Sequence, residues 1–99
     1  MSSNSPITLA LSYWNSALEN MNVQEASTFI DSEISKLTRN GTYPASTKFV
    51  QATSIHLNQM VHIQVSVAPA DAMALMTEWL GDEELAYGEL LAIDPALVD

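Results

Sequence analysis

An α+β fold is what the sequence predicts, on three observations. Two N-terminal stretches space apolar residues by three and four, residues 61–67 alternate with a period of two, and the last third holds helix-forming runs closed by glycine. The expected order is two antiparallel N-terminal helices, a central β-hairpin, and acidic C-terminal helices packed on that hairpin, in one small domain spanning residues 1–99. A mostly α arrangement is the alternative, because Phe49, Thr53, Leu57 and Met60 also fit helical steps over 46–60.

Ser5-Pro6 supplies a capping hydroxyl and a proline suited to a first helical position, so a helix is expected over about 6–20. Its stripe is Ile7, Ala10, Leu11, Trp14, Leu18 and Met21. Asn22, with Glu25 three residues on, reads as a capping box that opens a second helix ending near Arg39 and closed by Asn40-Gly41. Val23, Ala26, Phe29, Ile30, Ile34 and Leu37 form its apolar face.

The stretch 41–46, with Tyr43-Pro44, reads as a loop. Phe49 to Leu57 and Val61 to Val67 then alternate as a hairpin turning at Asn58-Gln59-Met60, with Leu57 facing Val61 and Ile55 facing Ile63. A two-stranded sheet leaves open edges, so pairing of two copies through 61–67 is expected to favour a homodimer. Pro69 lies near the start of a third helix that ends at Gly81, with Met73, Met76 and Leu80 on its buried stripe. Asp82 caps a fourth helix, and Asp94-Pro95 opens a last turn.

Charge is distributed unevenly. Of 99 residues, 47% are apolar and 15% charged, a globular composition, and the net charge is −9. Residues 1–70 hold four acids against three bases, whereas residues 71–99 hold Asp71, Glu78, Asp82, Glu83, Glu84, Glu89, Asp94 and Asp99 with no Lys, Arg or His. Such a segment repels nucleic acid and anionic membranes and attracts basic surfaces. The absence of cysteine excludes disulfides and thiolate metal cages and suits a reducing compartment. The polar start Met1-Ser2-Ser3-Asn4-Ser5 lacks the features of a secretory signal, so a cytoplasmic protein is expected.

The function these features predict is non-enzymatic. Gly41, Gly81 and Gly88 do not make a phosphate loop, and neither a His-Glu-x-x-His helix nor a Gly-x-Ser-x-Gly elbow is present. His56 and His62, facing across the hairpin, lack a third ligand, so neither metal nor cofactor is expected. The candidate partner-binding residues are Glu78, Trp79, Asp82, Glu83, Glu84, Tyr87 and Glu89: carboxylates supply charge, and Trp79 and Tyr87 supply contact area on which arginine stacks.

An inhibitor that docks a carboxylate-rich face on a basic nucleic-acid-binding protein, by nucleic-acid mimicry, is therefore expected. Small acidic antagonists, including phage-encoded ones, offer an analogy of size and charge. Charge density is the weak point of mimicry: duplex DNA carries about one charge per 1.7 Å, and eight carboxylates along a straight helix would give roughly one per 5 Å. Breaks at Gly81, Gly88 and Pro95 would have to fold the segment onto one face. The alternative function is a self-associating structural or assembly protein whose acidity keeps it soluble. The structural reading of the same residues is a core Trp79, a solvated acidic face, and Met21, Met60, Met73 and Met76 as core filler.

Overall fold

The computed structural model describes residues 5–56 and 60–98. The element order is β1 (Ile7–Trp14), α1 (Val23–Arg39), β2 (Lys48–His56), β3 (Met60–Val67), α2 (Ala72–Leu80) and α3 (Glu83–Ile93), with short 3₁₀ turns at Ser16–Leu18, Pro69–Asp71 and Pro95–Val98. The chain is α+β, with an antiparallel sheet of order β1-β3-β2.

The expected first helix over 6–20 is instead a strand, so the N-terminal half holds one helix rather than two. Ile7, Leu9, Leu11 and Tyr13 turn inward, while Thr8, Ala10, Ser12 and Trp14 are exposed. That is a period of two, and β-branched and aromatic residues favour it. Tertiary pairing decides the outcome: β1 lies in full antiparallel register with β3, from Ile7↔Val67 to Trp14↔Met60. Proline before a strand is as acceptable as proline at a helix start, which is why Ser5-Pro6 misleads.

β3 is central, paired with β1 on one side and β2 on the other. Its edges are thus satisfied within the chain, and the expected homodimer contact through 61–67 is closed. Of the expected turn Asn58-Gln59-Met60, Met60 is instead the first residue of β3, and residues 57–59 lie outside the described residues. The hairpin register differs from the expected one: Ile55 lies opposite Val61 and Ala52 opposite Ile63, with irregularities between Phe49 and Gln51 and between Ala52 and Ser54. Two extra residues, Val50 and Thr53, are accommodated as bulges, which keeps Phe49, Ala52 and Ile55 directed inward despite the broken alternation. His56 lies opposite Met60 and His62 opposite Ser54, so the two histidines do not face one another. The strand β2 also removes the helical alternative for 46–60.

One face of the sheet is buried. Leu9, Leu11, Val61, Ile63, Val65 and Val67 share a single core with Leu18, with Ala26, Ile30 and Ile34 of α1, with Ala72, Leu75 and Met76 of α2, and with Ala86 and Leu90 of α3. The other face is mostly polar, with Thr8, Ser12 and His62 and a Gln51–Gln64 hydrogen bond of 2.8 Å across the strands, and it also carries the exposed Trp14.

Helix ends are fixed by named side chains. Asn22 and Glu25 form the reciprocal capping box, with bonds of 2.8 and 3.1 Å. Gly81 closes α2 at φ 72°, a conformation that favours glycine, and the Asp82 carboxylate accepts from the N–H groups of Glu84 and Leu85 at the start of α3. Among the described residues, no helix is long and apolar enough to cross a membrane.

Ile63 is fully buried on the strand bonded from both sides, so Ile63→Ala is expected to cost about 2–5 kcal/mol in urea denaturation. Val50→Ala, at an exposed bulge, is expected to change stability by less than about 0.5 kcal/mol.

Candidate functional site

Among the described residues, the acids of the C-terminal segment divide by side-chain length. Asp71 accepts a 2.8 Å bond from the Ser46 hydroxyl, Asp82 caps α3, and Asp94 accepts from the N–H of Ala96. These short side chains are engaged in holding the fold. Glu78, Glu83, Glu84 and Glu89 are all exposed and, among the described residues, make neither a side-chain hydrogen bond nor an ion pair. Lys36 pairs with Glu33 at 3.4 Å, at the far end of the charge distribution.

The candidate residues do not converge on one face. On α3, Ala86 and Leu90 are buried and mark the inward side, and Glu84 and Glu89 lie five residues apart, about 140° around the helix. Glu83, Glu84 and Tyr87 border one depression with Met73, of about 360 Å³. It adjoins an apolar groove in which Met73 and Tyr87 meet Pro69, Leu97 and Val98. Glu89 sits on the opposite flank with Trp79 and Leu80, bordering a larger groove of about 640 Å³ against β1. Asp82 stands at the N-cap of α3, where its carboxylate accepts from two backbone N–H groups, and it lines neither groove.

Trp79 is half-buried and fixed from three directions. Its indole Nε1 donates to the Ser12 carbonyl at 3.1 Å, its ring stacks on Tyr43 at 5.7 Å, and it meets Tyr13 edge-on at 6.0 Å. The indole thereby ties α2 to the outer edge of β1 and occupies a carbonyl that another strand would need. The same Tyr43 ring is held above its ordinary pKa of 10.0, chiefly by burial, then by the negative charges of ionised Tyr13 and of Glu78.

Apolar exposure is concentrated on α3. Leu85, Tyr87, Leu91 and Ile93 are between 42% and 58% exposed, interleaved with Glu83, Glu84 and Glu89. By helical angle Leu85 and Ile93 fall toward the flank of Glu89, and Tyr87 and Leu91 toward that of Glu84, with Ala86 and Leu90 buried between them. Trp14 is 66% exposed and lines the groove against β1. The helical stripe assigned Trp14 to the core; the strand's alternation, with Ile7, Leu9, Leu11 and Tyr13 inward, places it outward, and that alternation was the available signal.

His62 approaches Ser12, with 3.5 Å between Nδ1 and the hydroxyl, and among the described residues no cluster of three or more His, Asp or Glu is arranged to hold a metal ion.

Above pH 10 the folded chain keeps the Tyr43 proton while the unfolded chain releases it. Stability is therefore expected to fall as pH rises through that window, and to fall less in Tyr43→Phe. Urea midpoints against pH, with phenolate absorbance of both proteins, check this. No protein-family model, curated protein or solved structure matches the chain.

Proposed function

We propose that this protein is a non-enzymatic, acidic docking protein of the cytoplasm that binds a basic, nucleic-acid-binding protein and blocks it by competition. The observation that carries this reading is α3: its glutamates have no partner within the described chain, and they are interleaved with exposed Leu85, Tyr87, Leu91 and Ile93. Carboxylates compete with phosphates for the same lysines and arginines, and the apolar side chains add the desolvated contact that charge alone lacks. With Glu84 and Glu89 on opposite flanks, the mimicry is one of charge rather than of phosphate spacing. The net charge of −9, eight units of it in residues 71–99, supports fast, salt-sensitive capture of a basic partner.

A second reading, self-association, is favoured by the same exposed apolar side chains. It would run through those side chains of α3 rather than through β3, whose two edges are paired within the chain. Light scattering after size exclusion tests it: a stable oligomer that keeps its size when Glu83, Glu84 and Glu89 become glutamine supports assembly.

The docking reading is tested on basic proteins retained from lysate at low salt, purified, and loaded with a labelled duplex. The native chain is expected to displace the duplex, and Glu78→Gln, Glu83→Gln, Glu84→Gln and Glu89→Gln together are expected to weaken displacement on the order of tenfold. Displacement unchanged from about 50 to 500 mM salt would remove electrostatics from the account.

A further inference from the structure

The groove between β1 and the C-terminal helices differs from the depression beside Glu84. Four aromatic rings, those of Tyr13, Trp14, Tyr43 and Trp79, line it together with one carboxylate, Glu89, and no Lys or Arg does. Trp79 and Tyr43 are locked against each other, so this wall is preformed, while Trp14 stands largely free in solvent at the rim. A planar guanidinium suits such a surface: it stacks on aromatic faces, is weakly hydrated, and forks onto a carboxylate, whereas an ammonium is a compact, strongly hydrated charge.

We propose that this groove takes an arginine side chain of the basic partner, the guanidinium stacked on an aromatic ring and bonded to Glu89. The inference rests on the docking reading above and names the residue type the partner presents. The volume of about 640 Å³ exceeds one side chain and leaves room for its neighbours in an extended segment. The segment is expected to lie against the rings rather than to add as a fourth strand, since the Trp79 indole already bonds the Ser12 carbonyl of β1. Charge selects the partner over a second copy: every copy carries −9, and the chain's single arginine is Arg39.

The test compares fluorescein-labelled hexa-arginine and hexa-lysine peptides by fluorescence anisotropy at about 150 mM salt. The native chain is expected to bind the arginine peptide roughly threefold to fivefold more tightly. Glu89→Gln and Trp14→Ala should each abolish that preference, Trp14→Tyr should keep it, and the Glu83→Gln/Glu84→Gln pair should weaken both peptides alike. Far-ultraviolet circular dichroism and urea midpoints confirm that the variants fold. Equal binding of the two peptides, or a preference that survives both Glu89→Gln and Trp14→Ala, overturns the arginine site and leaves acidic docking standing. Absence of binding by either peptide at low salt overturns both. Self-association that Arg39→Gln abolishes would assign the groove to a second copy, and so overturn the proposal as well.

Discussion

The double pairing of β3 is the constraint on which the remaining structure depends. Val61, Ile63, Val65 and Val67 all point to one side and are fully or almost fully buried, so one strand supplies the spine of the core and the backbone bonds for both its neighbours. A hairpin alone is marginal in water. With β1 added, the sheet becomes wide enough to bury a face under helices, and each sheet edge acquires its own obstruction: two bulges on β2 and the Trp79 indole on β1. The groove lined by Trp79 and Glu89 exists only because β1 is an edge strand and α2 reaches it.

Much of this order was legible in the residues, for local reasons. Asn22 with Glu25, Gly81, and Asp82 mark helix ends by side-chain chemistry within a few residues, and the structure has α1, α2 and α3 where those signals stand. β3 was legible because its alternation is unbroken. β1 was not, since Ile7, Leu11, Trp14 and Leu18 satisfy a helical period as well as Ile7, Leu9, Leu11 and Tyr13 satisfy a strand period; the choice is made by a partner some fifty residues away, which no local pattern records. The hairpin register failed for a related reason: bulges at Val50 and Thr53 move each pairing without altering composition.

The candidate site was legible as a composition and not as a geometry. Counting acids places them in residues 71–99, but only the fold separates Asp71, Asp82 and Asp94, which accept hydrogen bonds within the fold, from the glutamates, which reach into solvent. Helical angles then part Glu84 from Glu89, so that one acidic tract becomes two unlike surfaces, one apolar and carboxylate-rich, the other aromatic. Trp14 joined the second surface only once its strand was known.

The β1–β3 pairing also governs how the chain can assemble during synthesis. β1 leaves the ribosome first, yet every backbone bond it makes in the sheet waits for β3, with α1 and β2 emerging in between. In that interval its alternating apolar residues have no partner surface, and α1 can form early from its own caps while the sheet cannot. Closing this loop is a non-local step, so β1 waits for its backbone bonds longer than α1 does although it is made before it.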